Sequence, residues 1–395
     1  MTLWSDPVNF ITQWLRSILS GWGVSVGSVD FWMNLLGAVI LPTLAMVFCL
    51  FLIWYERKII GRIQDRFGPN RIGPWGIFQP VADMLKIFTK EYITPIGADK
   101  LVYNLAPVLA VASVILIWAV IPFAKGTFGV DLNVGVLYVV AVGALGALAI
   151  IMAGWSSNNK YALLGAFRVV ALLVSYEVPM VLALLVPVIL ARSMGMSSII
   201  DAQGIWFIVG APLAAFIFFI SSMAEIGRSP FDLVEAESEI VAGFNIEYSG
   251  LKFGMFYVGE FLHAFTISLL FATLFLGGWR GPGAEQIPVL GFVYYFIKTM
   301  VVYFVVILFR GSLPRFRIDQ MMDLNWKLFT PLSLMVVVLT AIVDKLLSGN
   351  TILVRSLGLF ATNLVIGYLL ILFLRRFARS ERQRSGEIVN ENVPA

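Results

Sequence analysis

The 395-residue chain is poor in the side chains that carry redox and metal chemistry, with one cysteine, Cys49, and one histidine, His263. A lone thiol excludes an internal disulfide and an iron–sulfur cluster built from this chain alone. One His and one Cys far apart in sequence leave no usual ligand set for zinc, copper or a haem pair. The plain reading of His263 is a histidine satisfied by helix packing. No G-x-G-x-x-G follows a strand pattern and no Walker sequence occurs, which removes direct nucleotide chemistry. Any electrons used in redox work therefore come from a partner. Charge is also scarce, with 13% of residues charged against 59% hydrophobic, a balance that excludes a soluble domain.

What the chain has instead is a series of apolar runs near the length that crosses a bilayer. They fall at about 33–55, 104–124, 132–153, 168–191, 205–224, 255–277, 288–309, 329–345 and 354–374, which predicts nine spans in one all-α polytopic membrane domain. The eighth is the shortest. Of the 28 Lys and Arg residues, Arg16, Lys125, Arg192, Arg280, Lys345 and Arg355 fall on one side, Lys298 falls inside a span, and the other 21 fall on the opposite side. Basic residues stay inside, so the N-terminus is expected outside and the tail 375–395, with Arg375, Arg376, Arg379, Arg382 and Arg384, inside. In segment 1–31, Phe10, Ile11, Trp14, Leu15, Ile18 and Leu19 recur at helical spacing without a basic leader, which predicts an amphipathic helix on the outer surface. The net charge of +4 restates the inward bias, and no nucleic-acid patch is present.

Three connections, 56–103, 225–254 and 310–328, are expected on the inner side and hold most of the remaining charge. Linkers do not need that much charge, so these segments read as the walls of a reaction chamber. In the first, Gly68, Pro69, Gly73 and Pro74 force turns, while Arg62, Arg66 and Arg71 offer planar donors beside Glu56 and Arg57. After it, Ile77, Phe78, Val81, Met84, Leu85 and Phe88 share one helical face, with Gln79, Asp83, Lys86 and Lys90 on the other, the pattern of an interfacial helix. In the second, a helix after Pro230 would place Asp232, Glu235 and Glu239 on one face and Glu237 elsewhere, in a run that opens at Glu225 and ends at Glu247. Carboxylates that close repel, so at least one would hold a transferable proton; an exposed acidic helix is the plain alternative. In the third, Arg315, Arg317 and Asp319 alternate around Pro314, placed either to brace acids across the chamber or to anchor lipid phosphate.

Glu177, Glu260 and Lys298 lie within predicted spans. An ionised group there costs about 2.5–3.5 kcal/mol on insertion scales, so each should face a partner or water. Pro179, two residues beyond Glu177, would break backbone hydrogen bonds and admit that water. Glu177, Glu260 and the 225–247 acids could then form a proton path.

The ordered motifs Glu56-Arg57-Lys58, Arg66-Phe67-Gly68-Pro69-Asn70, Arg228-Ser229-Pro230-Phe231-Asp232-Leu233 with Glu235, Glu237 and Glu239, Gly243 to Tyr248, and Pro314-Arg315-Phe316-Arg317-Ile318-Asp319-Gln320 resemble the H-subunit family of respiratory complex I, the proton-translocating NADH:quinone oxidoreductase, over about residues 35–380. The resemblance implies a bacterial inner-membrane subunit that joins the peripheral redox arm to small membrane subunits. It implies quinone as substrate and no metal or flavin in this chain, with the iron–sulfur clusters and FMN on partner subunits. By motif, Arg62, Arg66, Phe67, Asp83, Arg228 and Phe244 would line or gate the quinone tunnel. Asp232, Glu235, Glu237, Glu239 and Glu247, with Glu225, Glu177 and Glu260, would begin the acidic path. Glu56, Arg57, Arg315, Arg317, Asp319 and Lys298 would brace it. The flanks of Gly259-Glu260-Phe261 and a ninth span depart from the usual pattern. The alternatives are a homologous subunit of a membrane-bound hydrogenase and a stand-alone carrier using Glu177 and Lys298; the second would favour paired internal repeats, which are absent.

Overall fold

A computed structural model describes residues 12–14, 16–17, 21, 26–127, 129–233 and 243–391, with side chains described up to residue 376. Glu235, Glu237 and Glu239 lie outside the described residues, as does most of segment 1–31. The described residues form helices without strands: α1 Val26–Ile63, α2 Gln79–Thr89, α3 Lys100–Trp118, α4 Gly135–Ser156, α5 Lys160–Ala191, α6 Met196–Ala202, α7 Phe207–Gly210, α8 Pro212–Ile226, α9 Gly250–Phe275, α10 Pro288–Ser312, α11 Ile318–Leu324, α12 Thr330–Leu346 and α13 Ile352–Glu391. Among the described residues eight helices are long and apolar enough to cross a membrane, and the chain is a multi-pass membrane protein.

The expected fifth span, 205–224, is met differently. It consists of α7 and the shorter apolar helix α8, separated at Ala211, whose backbone is non-helical. Pro212 at the first turn of α8 lacks the N–H that would continue α7 and is pre-set to start a helix. The expected eighth span is present, as a helix running through α11, a π-turn at Asn325–Phe329 and α12. The first long helix begins at Val26, so the last residues of segment 1–31 belong to it.

Helix α9 sits at the centre, with 83% of its spanning window buried, packed by α3, α10, α8, α1 and α2. Chain direction puts the ends of α1, α4, α8 and α10 and the starts of α3, α5 and α9 on one side, here the loop face. Bonds across that face agree: Asp99 N–H donates to Ser156 O at 3.1 Å, and Phe316 N–H to Pro230 O at 2.9 Å. At the opposite face, Gln203 donates to the carbonyls of Thr273 and Leu274 at the end of α9. Arg280 in turn donates to the Asp201 and Gln203 carbonyls at the end of α6.

Pro107 inside α3 and Pro179 inside α5 each orphan a carbonyl four residues back, and a distant side chain takes each of these two. Pro107 frees the Tyr103 carbonyl, which accepts from the Tyr248 hydroxyl at 3.2 Å. Pro179 frees the Ser175 carbonyl, which accepts from the Asn325 amide at 2.6 Å. The carbonyl freed beside Glu177 is thus taken by Asn325. The neighbouring Tyr176 hydroxyl donates to Met321 O at 3.0 Å, locking α5 to α11.

Candidate functional site

The loop-face end of α1 carries Glu56, buried at 2% exposure, in a chain where such a charge must be paired. Three donors from two other segments meet it. Arg228, just past the Gly227 turn that ends α8, gives Nη1 to Glu56 Oε2 at 2.6 Å. The Tyr303 hydroxyl reaches the same oxygen at 3.0 Å, and Arg310 pairs with Oε1. Arg228 is 1% exposed, stacks on Phe261 with its guanidinium carbon 4.8 Å from the ring centre, and gives Nε to Glu260 Oε1 at 3.3 Å. Burial works against its charge, but the Glu56 carboxylate together with Tyr303 and Glu260 outweighs burial and raises the guanidinium pKa further. Its Nη2 has no hydrogen-bond partner among the described residues.

On one side of Arg228 lies a cavity of about 110 Å³ lined by Glu177 of α5, Glu225 of α8, and Glu260 and His263 of α9. Small residues of the facing helices make the room. A Cβ on Gly143 would come within 3.7 Å of Glu225 Oε1, and one on Gly146 within 3.6 Å of Ser113 Oγ. A smaller cavity of about 30 Å³ adjoins it, sharing Ile117, Gly143, Glu177, Glu225 and His263, and is otherwise walled by apolar side chains and Thr266. Both volumes exceed what a water molecule needs, and the carboxylates supply polar partners.

A second cavity, of about 460 Å³, lies between α1, α2 and α9. Its walls are mostly apolar, from Met46, Leu50, Ile53, Met84, Phe253 and Val258 among others, with Cys49 on one flank. Helix α2 forms over the amphipathic stretch that the sequence singles out, with Ile77, Phe78, Leu85 and Phe88 exposed beside and along it. Two bonds hold it over the cavity: Arg57 of α1 pairs with Asp83, and Trp54 Nε1 donates to Trp75 O at 3.1 Å. Successive residues of α9 serve both spaces: Tyr257 and Val258 line the apolar cavity, Gly259 and Glu260 the acidic one.

The sequence-derived candidates separate accordingly. Glu177, Glu225 and Glu260 come together, with Phe244 against the same acidic cavity rather than the apolar one. Asp83 and Arg57 line the apolar cavity. Arg62, Arg66 and Phe67, the last 85% exposed, stand on the loop face outside both cavities, Arg66 donating to Gln64. Glu247 lies apart, accepting from Asn159 Nδ2 at 2.6 Å beside a polar surface hollow. Asp232 is the last residue but one of the described stretch that ends at Leu233, and Arg315, Arg317 and Asp319 lie before and within α11. Lys298 is not a mid-membrane partner for Glu177. Its ammonium donates to the carbonyls of Leu276, Gly278 and Arg280 at 2.8–2.9 Å and sits 5.1 Å from the Trp206 ring. It braces the end of α9, since cations satisfy exposed C-terminal carbonyls. Sequence reasoning passed over Tyr303 and the glycine wall, and set His263 aside. The glycines at 143 and 146 had a readable signal, a pair three apart in a run that otherwise packs.

The described residues form an all-α membrane domain in which a buried arginine bonds both Glu56 and Glu260, the second of which lines a carboxylate cavity. The chain belongs to the NADH dehydrogenase family, whose pattern matches residues 36–341. It is 47% identical over 350 residues to the NADH-quinone oxidoreductase H subunit of Dehalococcoides mccartyi (strain CBDB1), covering 88% of this chain and 96% of that protein. An H subunit of the same enzyme from Geobacter metallireducens is 46% identical over 319 residues, covering 77% and 95%. The one from Rhodospirillum rubrum is 46% identical over 310 residues, covering 77% and 91%.

Proposed function

We propose that this chain is the H subunit of an NADH:quinone oxidoreductase, admitting quinone through the apolar cavity between α1, α2 and α9 and passing the effect of its reduction to the carboxylate cavity. The observation that carries the reading is Arg228, buried and bonded both to Glu56 of α1, a helix that also walls the apolar cavity, and to Glu260, which lines the acidic one. A change of charge or position near Glu56 alters what Arg228 can give to Glu260, and with it that carboxylate's hold on a proton. The low-polarity wall suits a long isoprenoid tail, and Arg57 with Asp83 at its rim supplies groups for a polar head.

In this reading the loop face is cytoplasmic and receives a peripheral partner that carries the redox centres. Exposed Arg62, Arg66 and Phe67, with Arg315, Arg317 and Asp319, are the docking side of the chamber, completed only by that partner. Asp232, Glu235, Glu237, Glu239 and Glu247 lead from the chamber, and Glu225, Glu260 and Glu177 continue the path into the membrane. Small membrane subunits would take the protons onward.

A photoreactive quinone, an azido-substituted head group on a short isoprenoid tail, tests the entry route in membranes holding the complete complex. Labelling within 46–57, 80–90 and 250–258, competed by unlabelled quinone, is the expected result. Labelling confined to other helices of this chain, with NADH-driven quinone reduction intact, overturns the route. Hydrogen evolution without quinone reduction overturns the oxidoreductase reading itself.

A further inference from the structure

The residue left without a task is His263. It stands one turn beyond Glu260 on the same face of α9. Its Nε2 lies 3.8 Å from Glu225 Oε1, and it lines both the larger and the smaller of the adjoining acidic cavities. The ionisable and charged groups around it are few and come from each packed element. Glu260 is on its own helix, Glu225 on α8, Glu177 on α5 and Arg228 just past α8, while α3 and α4 offer Ser113 and the glycine wall. Glu177 and Glu225 share with His263 the boundary of the two cavities, whereas Glu260 touches only the larger.

We propose that His263 is a proton carrier between Glu225 and the carboxylates Glu177 and Glu260, the step that joins the acid at the loop-face end of α8 to the acids deeper in the membrane. This rests on the function proposed above. Carboxylates alone store protons but repel as they fill and empty, and a neutral imidazole between them adds no charge at rest. The Glu225 O–H bond breaks as a bond forms to Nε2, and the Nδ1–H proton leaves to cavity water and from there to Glu177 or Glu260. The ring then turns to present the bare Nδ1 to Glu225 and Nε2–H to the cavity, and a second proton passing in that sense restores the first tautomer, with no net change in electrons. The 3.8 Å separation closes to hydrogen-bond length by a side-chain adjustment, for which the neighbouring cavity leaves space.

The test uses His263→Gln and His263→Leu in membranes with the whole oxidoreductase. NADH oxidation by a water-soluble artificial acceptor reports the amount of assembled redox module, and NADH:quinone turnover, proton uptake into vesicles and the solvent deuterium isotope effect are read against it. Expected is a fall of fivefold or more in quinone turnover and pumping in both variants, with an isotope effect at least twofold larger than in the parent. Gln keeps hydrogen bonding but cannot relay a proton, so full activity in His263→Gln with loss in His263→Leu overturns proton carrying in favour of mere packing. Unchanged turnover in both overturns it outright. If His263→Leu fails to assemble, the isotope effect in His263→Gln decides alone. Glu177→Gln and Glu260→Gln separate the levels. If they cut turnover while the histidine variants do not, only the carrier falls; if all four are indifferent, the acidic path itself is wrong.

Discussion

Arg228 ties the helix that walls the apolar cavity to the acid that lines the other cavity, because it bonds both Glu56 of α1 and Glu260 of α9. Its planar fork holds two carboxylates in fixed directions, which an ammonium cannot do. We expect Arg228→Lys to insert and assemble while lowering NADH:quinone turnover about tenfold, an effect equal to roughly 1.4 kcal/mol. Arg228→Met should instead lower the amount of assembled complex, since removing one partner of a buried pair costs about 3–5 kcal/mol. Turnover per assembled complex, with assembly read on native gels, checks both; parental turnover in the lysine variant would remove Arg228 from the coupling route. At this scale the sequence was readable where charge met hydrophobicity. Glu177 and Glu260 stood out because an acid inside an apolar run is costly, and Glu56 because it ends one. Tyr303 and His263 were not readable, since an aromatic or a single imidazole in a span looks the same whether it packs or serves. Only the fold puts the Tyr303 hydroxyl on Glu56 and the imidazole beside Glu225.

Among elements, the spans were legible because a long apolar run has one outcome in a bilayer, a helix that satisfies its own backbone. The exception is instructive. The run 205–224 is apolar throughout, and hydropathy does not register that Gly210, Ala211 and Pro212 interrupt it. Pro179 in α5 was readable as the loss of a backbone hydrogen bond, but the donor that takes the freed carbonyl was not, because it is 150 residues away in sequence. That partner has a testable weight. Asn325 is fully buried, and Asn325→Leu would leave the Ser175 carbonyl unbonded in the apolar interior. A buried orphan of this kind costs about 1–3 kcal/mol. We expect the variant complex to lose several degrees of thermal stability in detergent, and Asn325→Gln to restore little because its longer arm overfills the π-turn. No shift in the unfolding midpoint of Asn325→Leu would show that the carbonyl finds another donor.

For the whole molecule, every residue lining the apolar and acidic cavities falls between Met46 and Leu270, inside the family match 36–341, whereas α13 lies wholly beyond it. Helix α13 packs against α7, α8 and α12 and makes three polar attachments: Asn363 to Gly210 O at the α7–α8 break, Arg355 to Leu190 O, and Arg355 to Asp344. It supports the broken fifth segment from outside, and none of its described side chains lines either cavity. A chain ended after Ser348 should therefore assemble into a complex with quinone turnover within about twofold of the parent per assembled unit, but with lower stability. Most of that loss has one source. Asp344, 5% exposed, would lose its arginine and keep its charge, and a stranded buried ion costs more than the apolar contacts around it. Neutralising it by Asp344→Asn in the shortened chain should recover a large part of the stability, while the same change in the full-length chain should destabilise by stranding Arg355 instead. Thermal melts of the four purified complexes give the coupling directly as a double-mutant cycle. Additive losses would show that α13 holds the fold through its apolar face rather than through this pair.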